Sequence, residues 1–197
     1  MIQIGLTGGI GAGKTSVAKV LEHMGYPVFY SDLEAKKLYD DHPILKEQMI
    51  ALFGNKLYQN GHFDKNILAQ QLFQNPILKE KVSELVHPLV RAAFQQWASQ
   101  QHTNMVFNEA AILFETGAYQ QFTATILVVA PEDLRIQRVI SRDQLTDQEV
   151  RNRINQQWTD AQKKVLTPYV IENDGRPLLY QIEATLDQIN SKYIDGI

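Results

Sequence analysis

Residues 8–15 read Gly-Gly-Ile-Gly-Ala-Gly-Lys-Thr and match the phosphate-loop pattern G-x-x-x-x-G-K-[ST] at every defined position. The apolar residues 2–7 before the loop predict a strand, and a helical pattern begins at Lys14. Between a strand and a helix, such a loop points backbone N–H groups at the phosphates of a nucleoside triphosphate. An ordinary glycine-rich turn explains neither Lys14 nor Thr15. The sequence therefore predicts a nucleotide site at the start of an α/β fold.

The loop residues have separate expected roles. Lys14 can reach the β- and γ-phosphates, and the hydroxyl of Thr15 can hold Mg²⁺. The positive end of the following helix favours bound anions. The residues expected to bind the nucleotide here are Gly9, Gly11, Ala12, Gly13, Lys14, Thr15 and Ser16.

The composition narrows the class of protein. The chain has 197 residues, of which 44% are hydrophobic and 21% charged, which is typical of one globular domain with at most a small insert. A net charge of −3 provides no general attraction to nucleic acid or membranes, so we expect neither as a partner. The absence of cysteine excludes disulfides and thiolate metal sites. We recognise no secretion signal or membrane-length apolar run and expect a cytoplasmic protein.

Strand and helix patterns alternate at both ends of the chain and are separated by a long helical stretch. Strands are expected at residues 2–7, 27–30, 104–108, 125–130 and 169–171. We assign residues 1–32 and 102–197 to a nucleotide-binding core with a lid at about 140–165, and residues 33–101 to a helical insert. Pro88 interrupts the apolar stripe of the insert and is expected to kink the helix or begin a new one.

Asp32 follows the second strand, at the edge where open α/β sheets bind their ligands. Its carboxylate could accept a proton from a substrate hydroxyl that attacks the γ-phosphate. It could instead bind Mg²⁺, or cap the helix expected to begin at residue 33. Combined with an intact phosphate loop, the position favours the role of general base.

Five arginines near the predicted lid are candidate functional residues. Arg135, Arg138 and Arg142 share one face of a predicted helix, where they could stabilise the charge of a transferring phosphoryl group. Arg151 and Arg153 follow in the next helix, which Thr146 begins with capping-box spacing. A solvated basic face is the alternative, and we expect one or two of the five to be functional.

Two further residues have open interpretations. His87, beside Pro88 on an apolar stripe, is either a buried core histidine or a ligand contact. Glu109 follows the third strand of the core and could supply a carboxylate on the metal side of the nucleotide.

Taken together, these residues resemble the dephospho-CoA kinase family over nearly the whole chain. Residues 6–15 are similar to its L-T-G-G-I-G-S-G-K-S loop, and Asp32 falls on its catalytic aspartate. Further matches are the H-P motif at 86–90, the L-L-F-E segment at 112–115, the lid approach at Arg138 and Arg142, the lid glutamine Gln157, and the terminal I-x-N-x-G at 171–175. The chain departs from the family at Tyr30, where an aspartate is common, and at residues 109–112, which lack the proline of P-L-L.

The resemblance implies a three-layer P-loop kinase fold with a parallel sheet, a substrate-binding helical insert and a lid. It implies a monomer that uses ATP and Mg²⁺ to phosphorylate the ribose 3′-hydroxyl of dephospho-CoA, giving CoA and ADP in the final step of coenzyme A biosynthesis. The implied catalytic residues are Asp32, Lys14, Arg142 and Arg138. The resemblance also implies that Arg142 and Asn173 bind ATP and that Thr15 binds the metal ion. The implied substrate-binding residues are Asp32, His87 and Pro88.

Two alternatives stay open at this point. Another small P-loop kinase could act on a nucleoside, a nucleotide or a shikimate-like alcohol. A nucleotide-dependent switch protein is the other class, but Asn55-Lys56-Leu57-Tyr58 lacks the aspartate of the N-K-x-D motif that recognises guanine.

Overall fold

The computed structural model describes residues 1–59, 62–194 and 196, so residues 60, 61, 195 and 197 of the predicted insert and core lie outside the described residues. Its strands are β1 (Ile2–Gly8), β2 (Val28–Tyr30), β3 (Tyr58–Gln59), β4 (His62–Phe63), β5 (Met105–Glu109), β6 (Ala124–Val129) and β7 (Val170–Glu172). Its helices are α1 (Lys14–His23), α2 (Ser31–Asp41), α3 (Pro43–Phe53), α4 (Lys65–Gln74), α5 (Pro76–Ser99), α6 (Glu132–Asp143), α7 (Asp147–Ile154), α8 (Asp160–Lys164) and α9 (Leu178–Tyr193).

The structure divides into two compact units. The first comprises residues 1–30 and 101–197, and the second comprises residues 31–100. The first unit contains a parallel sheet, as the alternating pattern predicts, and its strand order is β2-β5-β1-β6-β7. The glycine loop follows the central strand β1 and therefore lies at the middle of the sheet's carboxyl edge, where such sheets bind ligands.

The core of the first unit lies between this sheet and the helices α1 and α9. Its fully buried residues include Ile4, Leu6, Val17, Leu21, Phe107, Ile126, Ile171, Ile182 and Ile189. The strands β5 and β6 are buried along their whole length, in agreement with the apolar runs 105–107 and 126–129 within them. This packing holds β1 and α1 on either side of the phosphate loop.

The second unit is mainly helical and has its own core. Leu45, Met49, Leu57, Val82 and Val86 are buried there. The helices α3, α4 and α5 begin at side-chain caps, for example Asn75, whose Oδ1 accepts from the N–H of Ile77 at 3.1 Å. The short antiparallel pair β3–β4 adds strand structure that the helical pattern of residues 33–101 does not predict.

The predicted elements of the core are confirmed to within a few residues, with two corrections in the second unit. The sequence predicts that Pro88 kinks the helix or begins a new one, and the second alternative is wrong because α5 continues through it. Buried side chains on both sides of Pro88, including Val86 and Phe94, favour one continuous helix. The helix expected to begin at residue 33 begins at Ser31, so Asp32 lies in its first turn. A carboxylate is favoured there by the helix dipole.

Candidate nucleotide and phosphoryl-transfer site

The phosphate loop joins β1 to α1 in a conformation that requires glycine at two positions. Gly11 and Gly13 have φ angles of 77° and 93°, in the left-handed region that other residues rarely adopt. A side chain on Gly11 would collide with the backbone of Arg135, and one on Gly13 with the side-chain amide of Asn173. The glycines of the motif therefore let α6 and the segment after β7 approach the loop closely.

Lys14, Thr15 and Ser16 form the first turn of α1, directly after the loop. The ammonium group of Lys14 donates to the carbonyl oxygens of Gly8 at 2.9 Å and Gly9 at 3.5 Å. Thr15 and Ser16 are exposed in the first turn of α1. That turn contains no acidic residue, so its positive N-terminus is available to an anion. The arrangement suits a polyphosphate, and the metal-binding role of Thr15 stays a prediction.

Arg135 supports the loop from α6. Its side chain is 8% exposed, and its Nε donates to the carbonyl oxygen of Ile10 at 2.9 Å. One of its terminal nitrogens lies 3.6 Å from Oδ2 of Asp160 at the start of α8. Arg135 therefore joins the phosphate loop to α8, a role that its place in the arginine stripe does not reveal.

Arg138 and Asn173 meet at the other side of the loop. Arg138 donates to the carbonyl oxygen of Gly11 at 3.4 Å and to the backbone and side-chain oxygens of Asn173 at 3.1 and 3.2 Å. The side-chain amide of Asn173, which is buried, donates to the carbonyl oxygen of Ala12 at 2.9 Å. Two residues predicted from distant motifs are thus brought together against the glycine loop.

Arg142 lies at the end of α6 and is the most exposed of the three stripe arginines. Its guanidinium makes two hydrogen bonds to the carboxylate of Asp143, at 2.7 and 2.8 Å, with 64% of its side chain exposed. These hydrogen bonds raise the pKa of Arg142 above its ordinary value. The structure therefore presents Arg142 as a fixed cation at the surface, paired with its neighbour. Arg151, the next candidate, pairs with Asp147 and Glu132 on the surface.

The segment after α7 contacts the loop through Gln157. The N–H of Ile10 donates to Oε1 of Gln157 at 2.8 Å, across a separation of 147 residues. The neighbouring Trp158 donates its N–H to Oε1 of Glu115 at 3.2 Å, and the same oxygen lies 2.7 Å from Nζ of Lys163, which is 0% exposed. The sequence predicts the lid glutamine but not this buried ion pair, because Lys163 lies in a polar stretch with no apolar periodicity.

The strand ends beside β1 carry polar groups. Glu109, 7% exposed, ends β5 and pairs in register with Leu6 of β1 and Tyr30 of β2. Burial, a hydrogen bond with Glu22 and the charge of Glu109 raise the pKa of Tyr30 to about 12. Tyr30 is therefore neutral near pH 7, and Glu109 is a buried carboxylate at the end of the neighbouring strand.

The remaining predicted residues belong to the second unit. Asp32 lies in the first turn of α2, two residues after β2 ends. His87 and Pro88 lie within α5. Burial, with a smaller contribution from the charge of Arg91, lowers the pKa of His87 below 6.5. The roles of these three residues toward a substrate stay predictions.

A cavity of about 250 Å³ lies past the ends of β6 and β7 in the first unit. Ala130, Asp160, Lys164, Glu172 and Asp174 are among the residues that line it. Within residues 1–59, 62–194 and 196, no three His, Asp or Glu side chains form a group that could hold a metal ion. In the same ranges, no helix combines the length and apolar character needed to span a membrane.

Several known proteins are similar to this chain in sequence or in structure. The sequence profile of the dephospho-CoA kinase family matches residues 2–178. A protein named dephospho-CoA kinase from Bacteroides fragilis is 37% identical, over 92% of this chain and 89% of that protein. One of the same name from Porphyromonas gingivalis is 38% identical, over 98% of this chain and 96% of that protein. A crystal structure of a Thermus thermophilus protein is similar with a TM-score of 0.85 at 32% identity, covering 98% of this chain and 97% of that one. The fold is shared with a shikimate kinase from Acinetobacter baumannii in complex with shikimate. That structure is 17% identical with a TM-score of 0.56, and the match covers 98% of this chain and 96% of the other.

Proposed function

This chain belongs to the dephospho-CoA kinase family, and we propose that it transfers the γ-phosphoryl group of ATP to the ribose 3′-hydroxyl of dephospho-CoA. The products are CoA and ADP, so the reaction is the final step of coenzyme A biosynthesis. The observation that carries the proposal is the phosphate loop, which Arg135, Arg138, Asn173 and Gln157 hold from two sides.

The ATP side of the reaction depends on the loop and on α1. Backbone N–H groups of the loop and the N-terminus of α1 bind the phosphates, and Lys14 moves its ammonium from the carbonyls of Gly8 and Gly9 to them. The exposed hydroxyl of Thr15 would hold Mg²⁺, with Glu109 as a carboxylate at the neighbouring strand end. When bound, the ion would neutralise charge on the phosphates.

The acceptor side depends on Asp32. The 3′-hydroxyl oxygen attacks the γ-phosphorus, the bond from that phosphorus to the bridging oxygen breaks, and ADP leaves with the electron pair. Asp32 accepts the proton of the hydroxyl, as its position after β2 favours. Lys14 and Arg142, with Arg138, balance the charge that develops on the transferring group.

The second unit supplies the rest of the acceptor site in this proposal. His87 and Pro88 on α5 contact dephospho-CoA, and the lowered pKa of His87 makes it a neutral hydrogen-bonding group near pH 7. We further propose a monomeric, cytoplasmic enzyme. Sedimentation equilibrium tests the first statement, and a mass of twice 22.5 kDa would contradict it.

A coupled assay of ADP release tests the proposed function. With ATP and Mg²⁺ present, addition of dephospho-CoA should accelerate ADP release, whereas shikimate, nucleosides and nucleotides should not. GTP in place of ATP is the control for the switch-protein alternative. Faster turnover with another acceptor would overturn the substrate assignment, and binding of GTP in preference to ATP would overturn the kinase assignment.

A further inference from the structure

The backbone N–H and the backbone C=O of Ile10 are both hydrogen-bonded to residues more than 100 positions away in the sequence. Its N–H donates to Oε1 of Gln157 at 2.8 Å, and its carbonyl oxygen accepts from Nε of Arg135 at 2.9 Å. We call these two contacts the Ile10 clamp. Ile10 lies between Gly9 and Gly11, so the backbone on either side of the clamp has the greatest conformational freedom available to a protein chain.

The clamp is itself rigidly supported. Arg135 is paired with Asp160, and the N–H of Gln157 donates to the carbonyl oxygen of Ile154 at 3.0 Å. The next residue, Trp158, is fixed by Glu115, whose carboxylate is held by the buried Lys163. The side chain of Gln157 therefore starts from a backbone that is fixed on both sides.

Because the trans peptide is planar, the hydrogen bonds of Ile10 also fix the orientation of the neighbouring loop groups. The N–H of Ile10 and the C=O of Gly9 belong to one peptide unit and must point in opposite directions. Fixing that N–H on Gln157 therefore fixes the carbonyl of Gly9, which accepts from the N–H of Ala12 at 3.1 Å and from the ammonium of Lys14 at 3.5 Å. By the same geometry, the bond from Arg135 to the carbonyl of Ile10 fixes the N–H of Gly11.

We propose that Gln157 is a positioning residue that sets the peptide orientations of the phosphate loop before ATP binds. The proposal rests on the nucleotide site of the proposed function. Without the clamp the Gly9–Ile10 peptide can rotate, so ATP must order the loop when it binds and its affinity falls. Loss of one neutral hydrogen bond predicts an increase of about 2- to 12-fold in the dissociation constant for ATP. Adenosine, which lacks phosphates, should bind as before.

The test uses the full chain and two matched variants. Gln157→Met keeps the length of the side chain and removes the acceptor, while Gln156→Met makes the same change at the exposed neighbouring residue. Calorimetry without any acceptor measures ATP binding, and competition measures adenosine binding. Hydrogen exchange at the amide of Ile10 reports the clamp directly and should be faster in Gln157→Met alone. If Gln157→Met does not fold, Gln157→Asn, which is one methylene too short, replaces it.

The expected result is weaker ATP binding and faster Ile10 exchange in the Gln157 variant, with unchanged adenosine binding and an unchanged Gln156 variant. An ATP affinity within twofold of the wild type, tighter ATP binding, or an equal loss for adenosine would overturn the proposal. Turnover of the wild type with dephospho-CoA is measured separately. Failure of the proposed acceptor therefore leaves the test of Gln157 intact.

Discussion

Replacing Glu115 by glutamine should strongly destabilise the nucleotide-binding unit, because it leaves the charge of Lys163 without a carboxylate. The two groups lie 2.7 Å apart, and the side chains are 13% and 0% exposed for Glu115 and Lys163. Neutralising one partner of a buried ion pair costs about 3–5 kcal/mol of unfolding free energy. For a chain of this size each kcal/mol corresponds to about 2–4 °C, so the thermal midpoint should fall by roughly 6–20 °C.

Thermal unfolding followed by circular dichroism measures this effect, and Asp147→Asn is the matched control. Asp147 lies 2.7 Å from Nε of Arg151, but the side chains are 56% and 43% exposed. Water screens that pair, so its loss should change the midpoint little. Replacing Glu115 by glutamine and Lys163 by methionine together should recover most of the lost stability. The reasoning is refuted if Glu115→Gln lowers the midpoint no more than Asp147→Asn does.

Three further substitutions test other parts of the site. Asp32→Asn should lower kcat by about 10²–10⁴-fold and leave ATP affinity unchanged, as measured by ADP release and calorimetry. Asn173→Ala should raise the KM for ATP about 2- to 12-fold, because the carbonyl of Ala12 loses the amide that donates to it at 2.9 Å. The lowered pKa of His87 means that the unfolded chain binds the proton more readily, so stability should fall as the pH drops through 6.5. His87→Gln should make that dependence shallower in urea unfolding at pH values from about 8 to 5.

Each of these expectations has a specific contrary outcome. Near-normal turnover of Asp32→Asn with ATP still bound would remove its role as base. An unchanged KM in the Asn173 variant would mean that the buried amide does not support the loop. Identical pH slopes for the wild type and His87→Gln would show that another group is responsible for the acid sensitivity.

Local sequence signals predict the first unit well. The glycine loop, the helix that follows it and the strand runs need only short-range patterns, and α1 begins at Lys14 as expected. The capping box at Thr146 is also confirmed, with its hydroxyl accepting from the N–H of Glu149. These features depend on residues within a few positions of one another, which is why the sequence alone predicts them.

The contacts that hold the loop could not be predicted in the same way. Ile10 and Gln157 are 147 residues apart, and Arg135 and Ile10 are 125 apart, so only the assembled fold brings them together. Motif matching identified Gln157 without indicating what it binds. Of the two alternatives expected at Pro88, a new helix is wrong, because the apolar side chains that α5 buries on both sides of Pro88 outweigh its low helix propensity.

Product identification by ³¹P NMR tests the central claim most directly. The protein is incubated with ATP, Mg²⁺ and dephospho-CoA, and the phosphorus signals of acceptor and nucleotide are followed together. The account predicts one new 3′-phosphomonoester on the acceptor ribose for each ADP formed. Formation of ADP with release of inorganic phosphate and no phosphorylated acceptor would contradict it.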